Sequence, residues 1–199
     1  MYSQVSPREN DPQKKMNNRN VEDIIYRKLK PEEANKYRSI RLESLQKYPD
    51  SFGSIYEEQK QKPKLSFEHF IETSNPDCLI IGAFQQEELI GICGFYKHQD
   101  KRSSHRGEII QMYVQTEYQG KYVGYNLLKA TVSIGFQFDG LEQIELEVMT
   151  DVKAANKVYE KVGFKECGIQ RRFYKKDGIY FDQRLMVLNR NEAMNNLNK

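Results

Sequence analysis

Between Ile109 and Met149 the hydrophobic period of the chain changes twice, and these changes constrain the fold more than any other feature. "EIIQMYV" reads as a strand, β-favouring and apolar at Ile109, Ile110, Met112 and Val114. A polar turn follows, and "QGKYVG" sets a lysine, a tyrosine and a valine between Gly120 and Gly124. From Tyr122 the spacing becomes helical, with Val123, Leu127, Leu128, Ala130, Ile134 and Phe138 on one face until Asp139-Gly140 stops it. "QIELEVM" then alternates as a strand. A strand, a helix and a strand in immediate succession predict a right-handed parallel crossover.

The flanking segments fill in the sheet. "DIIYRKLK" reads as a strand. Pro31, Glu32 and Glu33 suit the first turn of the next helix, where acids meet the positive end of its dipole, and Pro49 ends it. A connecting segment broken by Pro63 precedes a short helix over Ser66–Thr73. "CLIIGAFQQ" and "ELIGICGFYKH" read as an antiparallel hairpin turning at Gln86 and Glu87. "DVKAANKVYEKVGF" is a helix with Gly163 as its left-handed cap, and "GIQRRFYKKDGIYFDQRLMVL" is two strands around Asp177-Gly178. The order predicts a central mixed, mostly antiparallel sheet of about seven strands with helices on both faces, an α/β (α+β) fold. The divisions expected are a flexible tail over 1–20, one domain over 21–190 and a C-terminal tail over 191–199.

Several function classes are disfavoured at once. No run approaches the roughly 18 apolar residues of a membrane span, and the start of the chain lacks the apolar core of a secretory signal, so a cytoplasmic protein without a membrane partner is expected. Cys78, Cys93 and Cys167 and the three histidines show no metal-ligand spacing; no metal is expected, and the thiols read as reduced and packed. The net charge is +3, and the first twenty residues carry four bases against two acids, which leaves +1 for the body. Duplex-binding domains carry a stronger basic bias.

"QGKYVG" stacks backbone amides at a helix start, where the dipole adds positive potential and phosphate binds readily. Alone this is a weak sign, since most such turns are only turns. The stretch does not fit the Walker spacing, because Lys121 lies between the glycines, nor G-x-G-x-x-G. It does resemble the cofactor loop Q/R-x-x-G-x-G/A of the GNAT superfamily of acetyl-CoA-dependent N-acetyltransferases, with Gln119, Gly120, Lys121, Tyr122, Val123 and Gly124 in its six places and Tyr122 where the family usually has glycine. "RLESLQKYPDSFG", "AANKVYEKVGF" and "DGIYFDQRLMVL" are similar to other GNAT segments, so the resemblance covers about residues 24–188.

The resemblance implies the GNAT fold, acetyl-CoA as co-substrate and an amine acceptor, with direct transfer through a ternary complex. It implies that backbone groups at Met112, Tyr113 and Val114 meet the pantetheine arm, that Asn156 hydrogen-bonds the cofactor, and that Tyr159 is the general acid. Glu108 is the candidate base, with His105 a weaker one; alternation puts Glu108, Ile110, Met112 and Val114 on one face unless a bulge intervenes. The bland alternatives are a packed Tyr159, an exposed Asn156 and a Glu108 paired with Arg106. "RRFYKK" interleaves bases with aromatics, which suits RNA, but strand alternation with Phe173 inward explains it as well. Two rivals stay open: a GNAT-fold sensor that holds CoA without turnover, motivated by Tyr122, and an RNA-binding protein. A homodimer is left open too.

Overall fold

In the computed structural model, which describes residues 23–197, the crossover forms as the spacing predicts. β4 (Arg106–Val114) leads through α4 (Val123–Gly135) to β5 (Gln143–Met149), and the two strands are parallel. Around them lie β1 (Ile24–Lys28), β2 (Cys78–Gln85), β3 (Glu88–Lys97), β6 (Lys165–Lys176) and β7 (Ile179–Asn189). The sheet has seven strands in the order β1-β2-β3-β4-β5-β7-β6, and every pairing but β4–β5 is antiparallel.

Each face buries its own core. One core joins Leu79, Phe95 and Ile109 of the sheet to Leu127, Leu128 and Val132 of α4 and Tyr159 and Val162 of α5 (Lys153–Val162). The other joins Ile80, Ile92 and Tyr113 to Tyr37 and Ile40 of α1 (Ala34–Lys47) and Phe67 and Ile71 of α3 (Ser66–Glu72). Among the described residues no helix is long and apolar enough to cross a membrane.

Several expectations need correction. The segment before α3 holds a short helix, α2 (Tyr56–Gln61). The tail expected over 191–199 instead begins as α6 (Arg190–Leu197), with Ala193 buried in the first core and the Arg190 guanidinium on the Leu141 and Phe138 carbonyls at 2.6 and 3.1 Å. The tail expected over 1–20 lies outside the described residues. Cys167 is exposed, unlike Cys78 and Cys93. Phe173 does not turn inward: a register shift between Gln170 and Tyr174, with Arg172 at φ +56°, breaks the alternation of β6 and leaves the ring exposed.

The most consequential departure is in β4. Gly94 of β3 faces Ile110, but Ile92 faces Tyr113, so β4 carries an extra residue, and Gln111 adopts φ +55°. The Tyr37 hydroxyl of α1 donates to Gln111 Oε1 at 2.7 Å and helps hold the bulge. The bulge reverses parity. Ile110 packs on the α1 side, whereas Met112 and Val114 pack on the α4 side, so Glu108 and Ile110 do not share a face with them.

Candidate active site

The loop after β4 winds through a turn at Thr116–Tyr118 and is tied down by Gln119, whose Nε2 donates to the Val114 carbonyl (2.8 Å) and the Tyr48 hydroxyl (3.2 Å). Gly120 takes φ +74° and Tyr122, the residue that caps α4, φ +61°. The first amide to close a helical bond is that of Asn126, on the Tyr122 carbonyl at 2.9 Å. The amides of Val123, Gly124 and Tyr125 therefore lack an intrahelical acceptor and carry the positive end of the dipole. A Cβ at Gly124 would stand 3.3 Å from Met112 Cε, so the missing side chain keeps that approach open.

Beside this helix end the sheet splits. β4 and β5 pair only from Arg106↔Gln143 to Ile109↔Leu146, and β4 beyond Ile109 has no strand on that side. The opening is a groove of 460 Å³, within the range of small-molecule sites. It runs from Gln119, Gly120, Tyr122 and Gly124, along Met112, Tyr113 and Val114, to Tyr159 of α5. Tyr113 lines it through its main chain's course, since its ring lies on the α1 side and its hydroxyl donates to Glu43 at 2.9 Å.

Tyr159 is held by the end of α5. Gly163 at φ +114° caps the helix, and both its amide and that of Phe164 bond the Tyr159 carbonyl, at 3.1 and 3.0 Å. The ring packs edge-on to Phe164 and is buried. Its hydroxyl bonds no described residue, and burial raises its pKa above the usual tyrosine range, so it stays protonated.

Three residues expected at the cofactor do not line the groove with their side chains. Val123 is buried in the core under α4. Lys121 points its ammonium over the Tyr118 ring, 5.9 Å from the centroid. Asn156 is buried and fully engaged: its Nδ2 donates to the carbonyls of Met149 (3.0 Å) and Val152 (2.9 Å), and its Oδ1 accepts from Arg184 (3.0 Å). It is a joint between α5, β5 and β7.

The acids gather on the face opposite α4. Glu108 faces Glu145 across the parallel ladder, half-buried. Burial, then the fields of Glu147 and Glu145, push its carboxyl above the usual glutamate range, against the pull of His98 and Arg106. Burial also works against the charge on Glu145, but Arg106 and His98 (2.9 Å) outweigh it and hold that carboxyl low. Glu147, not Glu108, lines the groove, and it accepts from Gln183 Nε2 at 2.8 Å. His105 is exposed on the turn before β4, its carbonyl taken by the amides of Glu142 and Gln143.

Sequence reading missed Glu147, and with it Ser51 and Phe52, which line the same end of the groove. The signal for Glu147 was present, since Glu145 and Glu147 alternate on β5 and the parallel register sets them on the face of Glu108. Ser51 and Phe52 lie in the stretch "RLESLQKYPDSFG" that is similar to a GNAT segment, but their place at the groove was not readable, because their loop meets the β6–β7 hairpin only in space. There Lys176 pairs with Asp50, and the Tyr174 hydroxyl lies 2.0 Å from where a Cβ of Gly53 would stand.

Comparison with known proteins agrees with this geometry. Residues 40–164 match the model of the acetyltransferase (GNAT) family. The chain is 31% identical over 96 residues to the uncharacterized N-acetyltransferase YoaA of Bacillus subtilis, covering 48% of this chain and 52% of that protein. It is 31% identical over 107 residues to the N-alpha-acetyltransferase RimI of Mycobacterium tuberculosis, covering 54% and 65%. It thus spans between half and two thirds of these curated relatives. A GNAT-family acetyltransferase of Streptococcus pneumoniae superposes with a TM-score of 0.71 at 23% identity, over 84% of this chain and 99% of that one. YncA of Salmonella typhimurium, solved with acetyl-CoA, superposes at 0.68 with 13% identity, over 84% and 94%. The family model spans more than half of the chain, and the chain belongs to the GNAT acetyltransferase family.

Proposed function

We propose that the protein transfers an acetyl group from acetyl-CoA directly to a primary amine of a small molecule or peptide. One observation carries this reading: a single groove joins the open amides of α4, the unpaired edge of β4, a protonated buried phenol and a carboxylate. When bound, acetyl-CoA supplies an acyl group activated as a thioester. The α4 amides at Val123 and Gly124 meet its diphosphate, and the β4 edge from Met112 to Val114 aligns the arm and polarises the carbonyl. A donor so placed is worth about 3 kcal/mol in other enzymes.

Glu108 and Glu147 draw an ammonium to the far end of the groove. Glu108, poised above the ordinary range, takes the amine proton through water or through the coupled Glu147. As the amine nitrogen bonds the acyl carbon and the carbon–sulfur bond breaks, the Tyr159 hydroxyl gives its proton to the departing sulfur. The second proton of the attacking nitrogen passes through water to the Tyr159 oxygen and restores the phenol, and the proton taken by Glu108 returns to solvent. That YncA was solved with acetyl-CoA, and that RimI is an N-alpha-acetyltransferase, supports the cofactor and the acceptor chemistry.

The test is coenzyme release from acetyl-CoA across a panel of amines and peptides. Tyr159→Phe is expected to lower turnover about a hundredfold or more while coenzyme affinity holds. Glu108→Gln is expected to lower turnover and flatten the rise of rate with pH. It also removes a charge that the fold disfavours, so its melting temperature should exceed the parent's at neutral pH. The difference should close in acid, once the parent's Glu108 is protonated. Full turnover in both variants would remove these roles, and tight coenzyme binding with no release for any amine would favour a sensor.

A further inference from the structure

Arg41 of α1 is a buried guanidinium without an acid. It is 5% exposed, and among the described residues its side chain forms no ion pair and a single long hydrogen bond, from Nη1 to the Ser44 hydroxyl at 3.4 Å. Burial pushes its pKa down to about 10, which leaves it charged at neutral pH. The other buried charges among the described residues are matched. Glu33 meets Arg27 at 2.7 Å, and Glu68 meets Arg38 and the Leu65 amide, both at 2.9 Å. A buried charge is costly unless a partner of opposite sign offsets it. For Arg41 that partner is not among the described residues.

The surroundings of Arg41 say where such a partner would come from. Its guanidinium carbon lies 4.6 Å from the centroid of the Phe52 ring, and Phe52 lines the groove at the end that holds Glu147. Tyr37, one turn earlier on α1, is close enough to act on its charge, and the Tyr37 hydroxyl donates to Gln111, a second lining residue. The Phe52 ring is half-buried at the margin of the second core, just beyond the turn Pro49–Ser51. We propose that Arg41 receives a carboxylate carried by the acceptor, so that the amines this protein acetylates are amino acids or peptides with an acid beside the amine. The inference rests on acetyl transfer as read above and names the class of acceptor. Phe52 turns aside as the carboxylate enters, and the planar guanidinium meets it with two parallel hydrogen bonds. A cation–π contact thereby gives way to an ion pair in a dry site, where opposite charges attract more strongly than in water. The acceptor's two charges then meet groups of opposite sign, its ammonium at Glu147 and Glu108 and its carboxylate at Arg41.

The test is coenzyme release from acetyl-CoA with acceptors matched except for the carboxylate. Leucine is set against leucinamide, and peptides beginning with glutamate against the same peptides beginning with glutamine. The first pair reports a free α-carboxylate and the second a side-chain one, so the pair that responds names the source. In that pair the ratio of kcat/KM, acid over amide, should fall about tenfold or more in Arg41→Met, chiefly through KM. Comparing each ratio between parent and variant cancels the different basicity of the two amines. Arg41→Lys keeps the charge without the fork and should lower the ratio less, by about threefold; it decides the matter if the methionine variant does not fold. A purely structural Arg41 would slow acid and amide alike. Ratios unchanged in both pairs would overturn the subsite and leave acetyl transfer standing. No release from the parent with any acceptor, acid or amide, would overturn the transfer reading and this inference with it.

Discussion

Glu33 sits at the joint between β1 and α1 with its carboxylate buried, bonded to Arg27 at 2.8 and 2.7 Å and to the Lys30 amide at 2.8 Å. The Arg27 guanidinium pulls its pKa from 4.5 to about 2, against the cost of burial. Because the folded value lies below the unfolded one, this stabilisation is complete above pH 4.5 and is lost as the pH falls toward 2. Glu33→Gln should cost about 2 kcal/mol at neutral pH, with the gap to the parent closing across that interval in urea titrations. Tyr122 carries strain of another kind. Tyr122→Gly should raise unfolding stability by up to about 1 kcal/mol, and Tyr122→Val should lower it, by the same measurement. The glycine place of the loop was legible in the sequence. The sign of φ at Tyr122 was not, because a tyrosine carries no local signal for left-handed backbone.

Elements whose signals are local were readable almost to the residue. α5 starts and stops where its spacing and Gly163 indicate, and the β2–β3 turn lies at Gln86-Glu87, with Gln86 at φ +54°. The bulge in β4 was not readable. Gln111 is no glycine, and its partner Tyr37 is 74 positions away in the chain. The burial of Asn156 was unreadable for a like reason: a polar residue on a helix became a buried joint through Arg184 of β7. α4 offers the direct check on the phosphate loop. Gly124→Val would fill the approach beside Met112 and should weaken coenzyme affinity about tenfold or more, with little change in melting temperature. Equal loss of both would mean that Gly124 serves packing instead.

For the molecule as a whole, the mixed, mostly antiparallel sheet and the helices on both faces followed from the alternation of elements, whereas the groove did not, because it depends on where two parallel strands stop pairing. Acetyl-CoA at a hundred times its dissociation constant should stabilise the fold by about 2.7 kcal/mol, read as a rise in melting temperature. The parting of β4 from β5 also has a mechanical consequence. Among the described residues, the ladder joins the two halves of the sheet over Arg106–Ile109 and Gln143–Leu146, with the His105 carbonyl bonded at its near end, so those few rungs act as a short pin about which the halves breathe. A thioester arm laid along the bare edge damps that breathing, and the amide protons of Gly107, Ile109 and Glu145, which the register turns toward the opposite strand, should then exchange with deuterium more slowly than in the free chain.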